Sequence, residues 1–198
     1  MYNGGSMAKL YFRYGSMSSG KTSQALMVAH NYKERGQKVI FYKPIIDNRE
    51  GVGAIVKSRC GISSDEVHLF DKETNLFFDF IGRHKQKADC VIVDECQFAT
   101  KEQVKQLTEI VDRYNIPVIC YGLRTNFKGE LFEGSKHLMA LADTIEEIKT
   151  ICFCSKKATM NARIKDGVVV KNGEEIQIGG NESYTALCRK HWKEGKIS

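Results

Sequence analysis

The chain has 198 residues, room for one ordinary domain or one with a small appendage, and its 42% apolar and 27% charged residues are those of a soluble globular protein with a real core. A net charge of +6 suits phosphate-bearing ligands, but Lys and Arg are spread along the chain and form no stripe, which argues against stable nucleic-acid binding. No apolar run approaches the roughly 20 residues of a membrane span, and no charged-then-apolar leader opens the chain, so no membrane association and a cytoplasmic location are expected.

Met1 to Ser6 is Gly/Ser-rich and precedes a second methionine, Met7; it reads as a remnant outside the fold. Leu10 to Tyr14 is an aromatic run that predicts a buried strand, and Ser23 to Glu34 has helical composition ended by Gly36. Between them lies Gly15-Ser16-Met17-Ser18-Ser19-Gly20-Lys21-Thr22, a full match to the P-loop pattern G-x-x-x-x-G-K-[ST] with strand before and helix after. Such a loop turns backbone N–H groups onto phosphate oxygens. Lys21 then supplies a cation for the β and γ phosphates, and the Thr22 hydroxyl is a ligand for Mg²⁺. The donor expected there is ATP.

Val39 to Tyr42 predicts the next strand, closed by Pro44. Asp47 and Arg49 follow it as candidate site residues, and Arg49 to Ser64, with Gly51, Gly53 and Gly61, predicts a mobile loop. Glu73 to His84 carries Leu76, Phe77, Phe80 and Ile81 at helical spacing. Cys90 to Val93 is a wholly apolar strand running into Asp94 and Glu95. An acid at such a strand end is the usual partner of a P-loop metal, which assigns Asp94 to Mg²⁺ and frees Glu95 as a general base. Thr100 with Gln103 makes a capping box for a helix bearing Val104, Leu107 and Val111 on one side, and Pro117 to Tyr121 is another strand. This alternation predicts an α/β fold of P-loop type, a mostly parallel sheet flanked by helices, over residues 7–150.

After about Ile151 the character changes to cysteines, glycines and short β-like runs at Val168 to Val170 and Ile176 to Ile178, predicting a small appended unit over residues 151–198. The seven cysteines are an odd count, which argues against a disulfide framework. Cys90 and Cys120 lie in apolar runs and read as buried thiols, whereas C-x-C at Cys152 and Cys154 with C-x-x-H at Cys188 and His191 supplies four ligands for a closed, structural Zn²⁺ site. Zinc there ties together the ends of the 155–187 segment. Phe98, Phe127 and Tyr184 follow strand ends or stand within the appended unit, and are weaker candidates for a ligand pocket.

Together, G-S-M-S-S-G-K-T, D-x-R at Asp47 to Arg49, D-E-C-Q-F at Asp94 to Phe98, G-L-R-T-N-F at Gly122 to Phe127, the four Cys/His residues and I-G-G-N-E-S-Y at Ile178 to Tyr184 resemble one family across Ala8 to about Lys193. It is the thymidine kinases with a P-loop and a zinc-bound lasso, and the likeness is to their bacterial branch. The resemblance implies transfer of the ATP γ-phosphate to the thymidine 5′-hydroxyl, in nucleotide salvage, with Glu95 as base. It implies Asp94 and Gln97 on the phosphate side, and Asp47 and Arg49 near sugar and phosphates. Met17, Phe98, Leu123, Phe127 and Tyr184 are implied around the thymine, whose edge is read by lasso backbone at Gly179. It also implies a homotetramer inhibited by dTTP.

On the residues alone two other classes compete. A nucleic-acid-dependent ATPase also places an acid pair after an apolar strand, but such motors generally need a second ATP-closing domain or an oligomeric arginine finger, and the chain has no room for the former. A zinc-ribbon binding module with a degenerate nucleotide site is the other, and intact Lys21, Thr22, Asp94 and Glu95 argue against degeneracy.

Overall fold

The computed structural model describes residues 7–45, 56–57, 63–64, 67–83, 88–173 and 184–198. Asp47, Arg49, Gly179, Cys60, most of the 49–64 segment, the run at Ile176 to Ile178 and most of the Ile178 to Tyr184 motif lie outside the described residues.

Six strands form one sheet: β1 (Leu10–Tyr14), β2 (Val39–Pro44), β5 (His68–Phe70), β6 (Cys90–Val93), β7 (Val118–Gly122) and β8 (Thr144–Glu147). Their order is β5-β2-β6-β7-β1-β8, and every pairing is parallel. Two short pieces, β3 (Val56–Lys57) and β4 (Ser63–Ser64), pair antiparallel outside it.

The two-residue period of the strands divides their side chains between two cores. Leu10, Phe12, Ile40, Tyr42, Val91, Val93, Val118 and Cys120 pack with helices α2 (Leu76–Arg83), α3 (Lys101–Tyr114) and α4 (Glu133–Leu141). Phe41, Cys90, Ile92, Ile119 and Tyr121 point the other way and pack on Ala25, Leu26 and Ala29 of helix α1 (Lys21–Glu34). Strands buried on both faces have no polar side, which is why Cys90 to Val93 is apolar throughout. No helix among the described residues is long and apolar enough to cross a membrane.

Several elements differ from the sequence expectation. Helix α1 begins at Lys21, directly on the P-loop, two residues before the expected Ser23. Helix α2 begins at Leu76 and not at Glu73, because Asp71 Oδ1 accepts the Glu73 and Thr74 N–H groups in a turn, and Asn75 Oδ1 then accepts Phe78 N–H. The Thr100–Gln103 capping box of α3 forms in both directions. Helix α4 and strand β8 have no counterpart in the pattern reading. Gly134 and Ser135 obscure the α4 period, yet they are buried there, and Gly134 is close enough to the Cys96 carbonyl that a Cβ would lie 2.4 Å from it.

Beyond β8 the chain forms a hairpin, β9 (Thr150–Ile151) with β10 (Lys157–Ala158), and a three-stranded antiparallel sheet of β12 (Val168–Val170), β11 (Met160–Lys165) and β13 (Tyr184–Leu187), closed by helix α5 (Arg189–Glu194). Cys152, Ala158, Ala162, Leu187 and Cys188 form its own small core, with Trp192 packed against it. All six described cysteines are free.

Candidate active site

The carboxyl ends of β1, β6 and β7 converge, as ligand sites of open α/β sheets require. The chain leaves β1 through the P-loop, where Gly15 N–H donates to the Gly122 carbonyl at 3.2 Å and so holds the loop to the end of β7. Lys21, buried at the first residue of α1, folds back over the loop and donates to the Ser16 carbonyl at 2.8 Å and the Gly15 carbonyl at 3.3 Å. The loop is also held from the appended unit. Met17 N–H donates to Asn161 Oδ1 at 2.8 Å, and Ser16 Oγ to the Ala158 carbonyl at 3.3 Å.

Strand β6 delivers the acid pair. Thr22 Oγ1 donates to Asp94 Oδ2 at 2.9 Å, joining the P-loop to the strand end. Asp94 is 2% exposed, and its other oxygen, Oδ1, has no hydrogen-bond partner among the described residues. Burial first, and then the neighbouring Glu95 charge, push the Asp94 carboxyl up to about 7 against the pull of the Thr22 hydroxyl and Lys21. A buried carboxylate oxygen without a donor, beside a threonine hydroxyl, suits a hard cation such as Mg²⁺.

Glu95 takes φ 51, the left-handed region that a residue with a side chain seldom occupies. This kink starts the 3₁₀ turn Cys96–Phe98. Gln97, 1% exposed, donates from Nε2 to Glu95 Oε2 at 2.5 Å and accepts Leu123 N–H on Oε1 at 3.0 Å. Its side chain thus links Glu95 to the loop after β7; Asp94, its companion in the phosphate-side expectation, faces Thr22. Gly122 permits the close approach, since a Cβ there would lie 2.6 Å from Gln97 Oε1 and 2.7 Å from Cys96 Sγ.

The loop after β7 carries Leu123 and Phe127. Asn126 folds it, accepting the Lys128 and Glu130 N–H groups on Oδ1. Phe127 is buried, with the Arg163 guanidinium 3.7 Å from its ring centre, and Arg163 Nε donates to the Tyr184 hydroxyl at 2.8 Å. Phe98 packs edge-on against Phe132 with ring centres 5.7 Å apart. The structure therefore brings Phe127 and Tyr184 together through Arg163, a residue that pattern reading passed over. Asn161 was passed over too, although its two amide ends bridge Met17 N–H and the Thr125 carbonyl, the latter at 2.7 Å. Arg124 lies over the Tyr14 ring at 5.5 Å.

The four candidate metal ligands converge, their ligand atoms all within 4.8 Å of one another. Cys152 Sγ is 3.5 Å from His191 Nδ1, and Cys154 Sγ is 3.9 Å from Cys188 Sγ. Tetrahedral zinc with Zn–S of about 2.3 Å and Zn–N of about 2.0 Å requires separations of about 3.5–3.8 Å, close to these two distances, and three thiols with one imidazole are a donor set that suits the ion. Burial works to raise the Cys152 thiol, but the Cys154 and Cys188 backbone N–H groups and the His191 and Cys154 side chains outweigh it and bring it to about 6. A thiol so lowered is ready to ligate as thiolate.

The parallel sheet, the phosphate-cradling loop and the acid at the end of β6 define a P-loop nucleotide-binding protein. The thymidine kinase family model matches residues 8–192, and the chain belongs to that family. A thymidine kinase of Haemophilus influenzae is 54% identical over 191 residues, covering 95% of this chain and 97% of its own length. Those of Aliivibrio fischeri (52%; 95% and 98% covered) and Escherichia coli O157:H7 (50%; 95% and 92% covered) are similarly related. Among solved structures, an ATPase domain aligns over 70% of this chain and 68% of its own at 14% identity and a TM-score of 0.47.

Proposed function

We propose that this chain transfers the γ-phosphate of ATP to the 5′-hydroxyl of thymidine, giving dTMP and ADP, in cytoplasmic salvage of DNA precursors. The observation that carries the reading is the joining of a P-loop to an acid pair whose second member, Glu95, is aimed by Gln97, itself tied to the loop that bears Leu123 and Phe127. Family membership supports thymidine as acceptor.

The backbone of Gly15 to Gly20 and Lys21 hold the donor phosphates, and Thr22 with Asp94 holds Mg²⁺. When bound, that ion neutralises charge on the β and γ phosphates. The acceptor occupies a pocket made with Met17, Phe98, Leu123, Phe127 and Tyr184. Asp47, Arg49 and lasso backbone at Gly179, outside the described residues, complete it. In the transfer, the 5′-oxygen bonds to the γ-phosphorus and its proton passes to the Glu95 carboxylate. The bond from that phosphorus to the β,γ-bridging oxygen breaks, and ADP leaves. A sugar hydroxyl is a poor acid, so proton removal accompanies bond formation. Water reaching the phosphorus would waste ATP, and a lasso closing over the acceptor excludes it.

Residues 7–150 act as the donor-binding domain and 151–198 as a lasso unit held by Zn²⁺ on Cys152, Cys154, Cys188 and His191. The active assembly is a homotetramer inhibited by the final product, dTTP.

A panel of nucleosides incubated with labelled ATP and Mg²⁺ tests the reading, with label expected on thymidine. No labelled nucleoside, together with ATP turnover that rises on adding DNA or RNA, would overturn it in favour of a motor.

A further inference from the structure

Among the contacts by which the metal-binding unit grips the loop after β7, one starts beside a metal ligand. Trp192 follows His191 on α5, and its indole Nε1 donates to the Phe127 carbonyl at 3.1 Å. The same ring covers the loop's tightest turn. Gly129, at φ 88, has no side chain, and a Cβ there would stand 3.5 Å from Trp192 Cη2. On its own side the backbone N–H of Trp192 donates to the Cys188 carbonyl at 3.0 Å, and Lys171 Nζ lies 4.6 Å from the ring centre. One indole therefore joins the helix that carries a metal ligand to the backbone of a pocket residue.

Gln97 and Ser135 hold the start of the loop at Leu123, and from the metal-binding unit two other contacts restrain it, Asn161 at the Thr125 carbonyl and Arg163 on the Phe127 ring. Both come from β11. Of the three, only the Trp192 contact starts next to a metal ligand, and it is made to backbone, where it sets the position of Phe127 and leaves its chemistry alone.

We infer that Trp192 is a positioning residue: through its N–H it holds the Phe127 loop in place for the acceptor, so that the Cys/His cluster sets the geometry of the acceptor pocket. The inference rests on the reading of thymidine as acceptor. Trp192 makes none of the donor loop's ties, which run from Ser16 Oγ to the Ala158 carbonyl and from Met17 N–H to Asn161, so the acceptor is expected to feel its loss more than ATP.

Trp192→Phe keeps an aromatic ring but removes the donor. A lost hydrogen bond of about 1 kcal/mol corresponds to about a fivefold change. The expected result is a thymidine KM raised about fivefold, an ATP KM within about twofold of the parent, unchanged zinc content and faster hydrogen exchange at residues 123–131. A role confined to stability would lower the melting temperature and leave the thymidine KM alone. Parent-like thymidine KM and parent-like exchange in a zinc-loaded variant overturn the inference.

Should the variant lose zinc or fail to fold, the parent protein decides the matter. Trp192 is the one tryptophan of the chain, so intrinsic fluorescence reports on it alone. Thymidine is expected to change its emission and ATP to leave it nearly unchanged; emission unmoved by thymidine overturns the inference. If the parent transfers no phosphate to thymidine, the functional reading fails, while exchange at 123–131 in Trp192→Phe still tests the contact.

Discussion

Gln97 Nε2 lies 2.5 Å from Glu95 Oε2 while its own Oε1 takes the Leu123 N–H. One amide therefore orients the candidate base and anchors the first residue of the loop after β7. Glu95 sits at φ 51 and opens the 3₁₀ turn, its carbonyl accepting Phe98 N–H at 3.2 Å, and the Gln97 tie helps set where the carboxylate points.

Glu95→Gln should bind ATP normally and lose about 10²–10⁴-fold in kcat, the usual cost of removing a general base. Gln97→Leu, which keeps the carboxylate but removes its Gln97 donor, should lose about tenfold or more, since misplacing a catalytic group by an ångström is costly. Steady-state kinetics with ATP-binding isotherms measure both. Near-parental turnover in Glu95→Gln would mean that the proton goes elsewhere.

Asp94 gives a prediction about pH. Its carboxyl is raised by folding from 3.8 to about 7, so between those values the folded protein holds a proton that the unfolded chain has released. The associated stability is full below the unfolded value and is lost as pH rises through the folded one. Asp94→Asn stays neutral at every pH. Without ligands or Mg²⁺ it should melt higher than the parent at pH 8, with a smaller difference at pH 5, while phosphate transfer falls by about 10²-fold or more. Thermal melts at the two pH values check this, and a variant melting lower than the parent at pH 8 would contradict it.

Gly122→Ala inserts a methyl group 2.6 Å from Gln97 Oε1. The crowded atoms belong to the Glu95 tether and to Cys96, so relief by movement disturbs the site. We expect a loss of about 1–3 kcal/mol in stability, as for other overpacked cores, with a reduced kcat. Denaturant unfolding and turnover report the two effects separately.

Purified protein should carry about one zinc per chain, and Cys152→Ser should lose it, because one tetrahedral ligand is gone. After allowance for the chelator's own protonation, the site's zinc affinity should rise with pH from about 5 to about 7, the range in which the Cys152 thiol, with its pKa about 6, gives up its proton. Elemental analysis together with a chelator titration at the two pH values tests this. A fully active sample without zinc would remove the metal from the scheme.

What the sequence by itself determined is chemistry that depends on neighbours along the chain. The P-loop is legible because its glycines, Lys21 and Thr22 must follow one another for a backbone to wrap a phosphate. Asp94 and Glu95 are legible because an apolar strand ends on them, and the Cys/His set because zinc accepts so few ligand types. The α2 start is displaced because Asp71 and Asn75 compete locally for the backbone, α1 starts two residues early because it grows straight out of the P-loop, and α4 is not legible because Gly134 and Ser135 serve packing. Only the tertiary structure decided what Gln97, Asn161, Arg163 and Trp192 do. Three of the four act at least partly on main-chain groups, which every residue carries, and Arg163 acts on Phe127 and Tyr184 across 36 and 21 positions of chain. A contact made to backbone or at such separation depends on how the sheet and the lasso unit come together, and no local pattern of residues records it.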